Sequence, residues 1–148
     1  MNANKELMQE WFRKADNDLR NAEIVLTSGQ EPIPLDTVCF HCQQAVEKYL
    51  KGFLVDHEVE FPRTHFLGTL LDLCREKDDT FETLEEVLEL NAYAVAIRYP
   101  DETIEVTITE AQRAYQIASH VKSFVIELIE QQEQQDEQQT EGERGNDI

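Results

Sequence analysis

The residue types best suited to chemistry are concentrated in one short stretch, residues 39–52, with the sequence CFHCQQAVEKYLKG. It contains a Cys-x-x-Cys pair, a histidine, two glutamines and a Glu-Lys-x-x-Lys run within a few helical turns. Thiols at this spacing are typical of metal sites, whereas lysines beside a histidine are typical of anion-binding or acid–base sites. A third interpretation is one ordinary amphipathic helix with a polar side.

The two cysteines of this stretch are predicted to be buried rather than metal-bound. At about 100° per residue, Cys39 and Cys42 fall on the same helical arc as Val46 and Leu50, which is the apolar arc. Zinc takes about four ligands, and a single Cys-x-x-Cys pair supplies only part of such a set. We therefore expect buried free thiols, with no metal and no cofactor.

The opposite arc of the same helix is polar. Its members are Gln43, Glu47, Lys51, Gln44, Lys48 and His41. Glu47 and Lys51 are spaced for an i,i+4 ion pair, which by itself explains both residues on a solvated helix. The alternative is that Lys48 and Lys51 offer local positive charge to an anion. Phe40 falls within this arc beside Gln44, and we interpret the pair as a contact surface for a second subunit or a stacked base.

The composition restricts the kinds of partner. The 148 residues carry a formal net charge of −18, from 31 acidic and 13 basic side chains. Nucleic-acid binders usually have an excess of Lys and Arg, so a polyanion needs a local basic pocket here. Three cysteines do not form an even disulfide set, and neither a long apolar run nor a signal-peptide pattern occurs. These features predict a reduced, soluble, cytoplasmic protein without a membrane segment.

Apolar residues at helical spacing predict five helical segments. Their expected limits are Ala3–Ser28, Leu35–Asp56, His65–Lys77, Thr80–Arg98 and Thr109–Gln131. Short polar residues are expected to cap the last three segments. The predicted caps are Thr64 for the third segment, Asp79 with Glu82 for the fourth, and Thr109 with Gln112 for the fifth.

The end of the chain differs in composition from the rest. After Ile129 the sequence EQQEQQDEQQTEGERGNDI has no apolar residue until its last position, which predicts an acidic, Gln-rich, disordered tail over residues 132–148. Residues 104–108 alternate apolar and polar side chains and are expected to form an extended crossover. Residues 1–131 are then one domain, and four long amphipathic helices with one short helix predict an all-α antiparallel bundle.

Three blocks of the sequence resemble one family. FHCQQAVEKYLKGFL, PRTHFLGTLL and AYAVAIRYPDE occur in this order, after a first segment that contains KADNDLRNAEIVL. Together they resemble the HEPN domain, the higher eukaryotes and prokaryotes nucleotide-binding domain, over about residues 6–130. The resemblance implies a bundle of four main helices and a short one, usually a homodimer, with a cleft near the dimer interface that handles nucleotide or RNA. It also implies a frequent partner, a minimal nucleotidyltransferase, in toxin–antitoxin-like pairs.

Many members of that family are metal-independent ribonucleases, whose motif is an arginine followed after four to six residues by a histidine. By position Arg98 is the arginine of this motif, but Tyr-Pro-Asp-Glu-Thr-Ile-Glu follows it and no histidine occurs at the required spacing. Arg113 and His120 fit the outer limit of the spacing. They lie one helix late and opposite the apolar stripe, so we attribute this match to chance. We therefore assign no catalytic residue.

The resemblance and the polar arc together give six candidate residues for binding a nucleotide or another anion. They are Arg98, Lys48, Lys51, His41, Tyr99 and Asp101. Arg98 either caps the end of its helix or anchors a phosphate, since a guanidinium offers a rigid fork of donors. Tyr99 and His41 are expected to contact a base, and Asp101 is either a turn residue or the partner that holds Arg98.

These expectations lead to three alternative functions. The first is a non-catalytic, dimeric nucleotide- or RNA-binding module, the HEPN half of a HEPN/nucleotidyltransferase pair. The second is a metal-independent, toxin-like ribonuclease that combines Arg98 with a histidine from another helix, either His41 or His65. The third is an oligomerisation or partner-binding module without a ligand.

Overall fold

The computed structural model describes residues 2–95 and 105–146, and this part of the chain is helical. Its elements are α1 (Ala3–Leu26), α2 (Leu35–Asp56), α3 (Leu67–Lys77), a 3₁₀ helix (Asp79–Tyr93) and α4 (Ile108–Asn146). No strand occurs within these two ranges, so the predicted all-α class is confirmed. The bounds of α2 are those expected from the sequence, and α1 ends two residues before the expected limit. No helix of the described residues is long and apolar enough to cross a membrane.

The seam between α1 and α2 forms because each helix turns a stripe of small and apolar residues toward the other. Helical spacing predicts that the stripe of α1 consists of Met8, Phe12, Ala15, Leu19, Ala22 and Leu26. The first five are buried and Leu26 is half-buried. On α2, a Cβ atom added at Gly52 would lie 2.5 Å from Phe12 Cε1 and 3.2 Å from Trp11 Cβ. The missing side chain of Gly52 therefore permits the close approach of the two helices.

Helix α2 is the centre of the bundle and is buried on nearly all sides. Cys39 and Cys42 lie in the core as free thiols, as predicted. Gln43, Glu47 and Lys51 are also buried, although the sequence indicated a solvated polar arc. The prediction of a solvated face is wrong for these three residues, because α1 and the chain before α3 cover the arc as well as the apolar side.

The fourth element is a 3₁₀ helix and not the α-helix expected over Thr80–Arg98. Its buried residues are Phe81, Leu84, Val87 and Leu90, which recur every third position. A 3₁₀ helix has three residues per turn, so this spacing places all four side chains on one line facing the core. The helix is kinked at Leu84, whose φ is −103° and ψ is 19°. The cap is Asp78, which accepts from the backbone N–H of Thr80, rather than Asp79.

Helix α3 starts at Leu67, two residues later than expected. The hydroxyl of Thr64 accepts from the N–H of Phe66, outside the helix. The N–H of Leu67 instead donates to Asn91 Oδ1 at 2.8 Å, from the end of the 3₁₀ helix. The predicted apolar face of α3 is buried, and consists of Leu67, Leu70, Leu71 and Cys74.

Helix α4 is longer than the sequence indicated. It begins at Ile108, where the hydroxyl of Thr107 accepts from the N–H of Glu110, and it continues to Asn146. Past residue 131, Gln132 hydrogen-bonds His57 and Glu133 pairs with Lys5, so the bundle still holds the helix there. Residues 133–145 are exposed. The division into a domain over residues 1–131 and a disordered tail over residues 132–148 stays a prediction.

Candidate functional site

A polar cluster at the α1–α2 seam joins two of the predicted ligand-binding residues. The carboxylate of Asp18 on α1 faces both of them on α2. Its Oδ1 lies 2.9 Å from His41 Nδ1, and its Oδ2 accepts from Lys48 Nζ at 2.5 Å. All three side chains are partly exposed. The cluster, which we call the Asp18 cluster, thus presents a lysine and a histidine that share one carboxylate at the surface.

A second cluster lies farther along the same face of α2, and its carboxylate and lysine are buried while its histidine, His65, is 69% exposed. Glu47 Oε1 accepts from Lys51 Nζ at 2.9 Å and lies 2.8 Å from His65 Nδ1. Gln44 donates to Glu47 Oε2 at 3.1 Å, and Gln43 donates to the backbone carbonyl of His65. This Glu47 cluster therefore fastens the chain before α3 onto α2.

Aromatic rings complete the surroundings of Lys51. Its Nζ lies 5.6 Å from the ring centroid of Trp11 and 5.7 Å from that of Phe61. The two rings meet edge to face. A cation over aromatic faces is stabilised by the ring quadrupoles, and more so when it is desolvated. The ammonium of Lys51 is thus satisfied by a carboxylate and two rings inside the protein.

The structure brings together some of the predicted site residues and separates others. Lys48 and His41 meet on Asp18, whereas Lys51 belongs to the Glu47 cluster. Arg98, Tyr99 and Asp101 lie outside the described residues, so their assignment stays a prediction.

The predicted contact pair Phe40 and Gln44 is not fully exposed. The ring of Phe40 is half-buried, with its centroid 5.5 Å from that of His41 in an edge-to-face arrangement. The side chain of Gln44 donates to Gln43 and Glu47. Phe40 therefore remains the more available member of the pair for contact with another molecule, because the amide of Gln44 is engaged within the chain.

Sequence reasoning missed the carboxylates that organise both clusters. No motif singles out Asp18, but it follows Ala15 by three residues and precedes Ala22 by four. At helical spacing this places it at the edge of the buried stripe, where a side chain reaches the neighbouring helix. The i,i+4 spacing indicated a surface ion pair between Glu47 and Lys51. The periodicity of α2 alone does not show that other elements bury Glu47.

The thiols on the core side of α2 are unreactive. Burial raises the pKa of Cys39 to about 11, with a further contribution from the charge of Glu110. Burial, the neighbouring Cys39 and Asp18 raise the pKa of Cys42 to about 12. A thiolate is the form that binds metals and attacks electrophiles, so neither thiol is activated at neutral pH. Among the described residues, no group of three or more His, Cys, Asp or Glu side chains is arranged to hold a metal ion.

Arg113 and His120, which fit the outer limit of the motif spacing, belong to a group of surface ion pairs. Arg113 on α4 contacts Glu86 and Glu89 of the 3₁₀ helix, at 3.4 Å and 3.2 Å. His120 Nδ1 lies 3.3 Å from Glu86 as well. Both basic side chains are about half exposed, so this group joins two helices across the surface.

The described residues form an all-α bundle with a buried central helix, α2, and a polar seam between α2 and α1. Residues 8–131 match the HEPN domain. The chain belongs to the HEPN domain family, as the resemblance of its sequence blocks predicted.

Two solved structures are similar to the chain over most of their length. The crystal structure of TT1696 from Thermus thermophilus has a TM-score of 0.65 and 30% identity, covering 81% of this chain and 96% of that one. The crystal structure of ST0689, an archaeal HEPN homologue, has a TM-score of 0.61 and 23% identity, covering 82% and 97%. The second likeness concerns the fold alone. The comparison with curated proteins gave no match.

Proposed function

We propose that the protein is a non-catalytic, dimeric HEPN module that binds the phosphate of a nucleotide or of RNA at the Asp18 cluster. The observation that carries this proposal is the meeting of Lys48 and His41 on one partly exposed carboxylate. A lysine and a histidine at the surface of a strongly acidic protein are a local source of donors for an anion. Lys51, held by Glu47, has a structural role in this proposal.

Arg98 is the proposed third anion-binding group. It follows Tyr93 by five residues, and the Tyr93 side chain lies beside Cys39 on α2. A chain spans at most about 3.3–3.6 Å per residue, so its length allows Arg98 to reach the half of α2 that carries His41. A guanidinium there would add a bidentate phosphate contact. Tyr99 is proposed to stack on the base, and Asp101 to hold the arginine.

Calorimetric titration with ATP and with GTP tests the binding proposal. We expect heat of binding at or below millimolar ligand for the wild-type protein, and its loss in Lys48→Ala and in Arg98→Ala. Lys122→Ala is the matched control, because Lys122 also pairs with an α1 aspartate, Asp16, at 3.1 Å. No heat at millimolar ligand, with the dimer intact, would leave an oligomerisation module as the function.

The dimer is proposed to form through the face that carries Phe40. Phe40→Glu introduces a charge where an apolar ring would be covered, so we expect light scattering to report half the wild-type mass. The control is Leu7→Glu, because Leu7 is 50% exposed and lies near the other end of α2, where Lys5 pairs with Asp56, and this variant should leave the mass unchanged. An unchanged mass for Phe40→Glu would show that the dimer does not form through this face. The further proposed partner, a minimal nucleotidyltransferase, predicts a neighbouring gene for that enzyme.

The second candidate function, a ribonuclease, is favoured by one feature of the two histidines. His41 Nδ1 faces Asp18 and His65 Nδ1 faces Glu47. A carboxylate at one ring nitrogen orients an imidazole and leaves the other nitrogen for proton transfer. Incubation with labelled RNA in the presence of a chelator separates the two functions. Cleavage by the wild-type protein that is lost in Arg98→Ala would show that the protein is a ribonuclease and not a non-catalytic binding module.

A further inference from the structure

Trp11 lies on the same side of α1 as Asp18, two helical turns closer to the start of the helix. This offset places the two residues about 20° apart around the helix and roughly 10 Å apart along its axis. Lys14 is exposed and lies between them, three residues after Trp11 and four residues before Asp18. One edge of α1 therefore presents an aromatic ring, a cation and the Asp18 cluster, in this order.

The ring of Trp11 is held by its neighbours and is still partly exposed. Phe61 meets it edge to face, with the ring centroids 6.4 Å apart, and Lys51 Nζ lies 5.6 Å from its centroid. Lys51 is itself held by Glu47, with 2.9 Å between Nζ and Oε1. A ring that is already held loses little conformational entropy when a ligand packs on it. The open part of the indole is therefore a pre-organised surface for stacking.

Lys14 is the cation between the ring and the cluster, and its ammonium is open to a ligand. Glu10, four residues before it, directs its hydrogen bonds to Arg13, with 2.9 Å between Oε2 and Nη2. An ammonium on a flexible stem binds phosphate oxygens as a point charge. A positive charge next to an aromatic ring is typical of surfaces that bind a base together with its phosphates, and every base has a face that can stack.

The spacing between the ring and the cluster sets the minimum length of the ligand. A base on Trp11 lies roughly 10 Å along α1 from the carboxylate that Lys48 and His41 share. The base of a nucleoside monophosphate is closer than this to its own phosphate. Two or more linked phosphates span the distance and leave one of them beside Lys14.

This position is separate from the one proposed for Tyr99. A Cβ atom added at Gly52, near the end of α2, would lie 3.2 Å from Trp11 Cβ. Tyr93 lies beside Cys39, near the start of α2. The chain that leads to Tyr99 thus starts from the end of the seam that is farther from Trp11. A single-stranded oligonucleotide has bases for both positions, whereas a nucleotide has a base for one.

We propose that Trp11 is a base platform and Lys14 a second phosphate contact, which together extend the site along α1. This subsite rests on the proposed function, because the Asp18 cluster holds one phosphate of the same ligand. Its ligand is a base joined to two or more phosphates. A nucleoside triphosphate and a short single-stranded oligonucleotide both have this chemistry, and their relative affinities distinguish them.

Trp11 is the single tryptophan of the chain, so tryptophan fluorescence reports on this position alone. Titration of the wild-type protein with ATP or with a triadenylate should quench the fluorescence and reach saturation. Inorganic tripolyphosphate, which lacks a base, should bind in calorimetry and leave the fluorescence nearly unchanged. The probe with the lower Kd, ATP or the triadenylate, identifies the source of the ligand.

Trp11→Leu keeps an apolar side chain beside Phe61 but removes the stacking surface. Its Kd for the probe that quenches should rise about tenfold, while its Kd for tripolyphosphate stays within about twofold of the wild-type value. Lys14→Ala should raise the Kd for both ligands, because it removes a phosphate contact. Phe124→Leu is the matched control, since Phe124 is a partly buried ring that packs on Phe81 of the 3₁₀ helix, and it should leave every value unchanged.

Two results would overturn this assignment of Trp11 and leave the proposed function standing. In the first, tripolyphosphate binds in a Lys48-dependent manner but neither ATP nor the triadenylate changes the fluorescence. In the second, a folded Trp11→Leu variant binds all three probes as the wild type does, or loses tripolyphosphate to the same extent as ATP. If the wild-type protein binds none of the probes, or Lys48→Ala binds them unchanged, the proposed function fails as well. The fluorescence titration uses the wild-type protein, so it does not depend on the folding of a variant.

Discussion

The Asp18 cluster and the Glu47 cluster contain the same kinds of side chain, a carboxylate, a lysine and a histidine, yet their carboxylate–lysine pairs differ in burial. The histidines differ in the opposite sense, since His65 is 69% exposed and His41 is 28% exposed. The side chains of Glu47 and Lys51 are 3% and 11% exposed, whereas those of Asp18 and Lys48 are 13% and 23% exposed. The carboxylate of the buried cluster belongs to α2 itself, and its lysine lies one turn away. In the other cluster the carboxylate is contributed by α1.

This difference assigns separate roles to the two clusters. A buried ion pair cannot exchange its partner without leaving a desolvated charge, so the Glu47 cluster fixes the chain before α3 against α2. A partly exposed pair exchanges its partner at lower cost than a buried one, because water can reach the group that is released. Ligand binding is therefore proposed at the Asp18 cluster, although the sequence placed Lys48 and Lys51 in one site.

The largest expected effect is the loss of the buried carboxylate. Glu47→Ala leaves the Lys51 ammonium buried without its carboxylate, which should lower the free energy of unfolding by roughly 3–5 kcal/mol in urea denaturation. Replacing both members, Glu47→Leu with Lys51→Met, should recover most of this loss, since a buried pair is often replaceable by apolar residues. A loss below about 1 kcal/mol for Glu47→Ala would show that the pair is solvated and would abolish the contrast between the clusters.

An intermediate effect on stability is expected at Gly52, where α1 and α2 approach each other closely. Both clusters depend on this approach. Gly52→Ala places a Cβ atom 2.5 Å from Phe12 Cε1, so Phe12 or the two helices must shift. Overpacking of this kind lowers the free energy of unfolding by about 1–3 kcal/mol. Gly142→Ala is the matched control, because nothing lies within 4 Å of the added atom, and it should be neutral or slightly stabilising. Equal stability of the two variants would mean that the seam is not tightly packed.

The smallest effect on stability is expected at the partly exposed lysine, Lys48. Lys48→Ala should lower the free energy of unfolding by roughly 1 kcal/mol, because the Asp18 carboxylate that it leaves behind is partly exposed and still faces His41. Lys51→Ala, which removes the buried lysine, should lower it several times more, by about 3 kcal/mol or above. Urea denaturation of both variants under the same conditions measures the ratio directly. Similar losses for the two lysines would contradict the separation into a structural and an exchangeable cluster.

Much of the fold was predictable because it depends on local periodicity. The stripe of α1 and the bounds of α2 followed from apolar spacing, and so did the burial of Cys39 and Cys42. The 3₁₀ helix was predictable in principle, since its buried residues recur every third position. It was missed because the spacing of Leu84, Val87 and Leu88 also fits an α-helix.

The site was less predictable because its contacts join distant parts of the chain. Lys48 and its carboxylate, Asp18, are 30 residues apart, and Leu67 is capped by Asn91 from 24 residues later. Helical spacing tells which face a side chain lies on, but not which side chain of another element meets it.

The sequence by itself determined the all-α class, the family and the arc of α2 on which the lysines lie, because apolar periodicity and motif order are properties of the chain alone. Only the tertiary structure decided that Lys51 is enclosed by Glu47, Trp11 and Phe61 while Lys48 stays at the surface on Asp18. The physical reason is that solvation depends on what packs over a side chain. For these two lysines, one turn apart on one helix, the covering groups come from α1 and from the chain before α3.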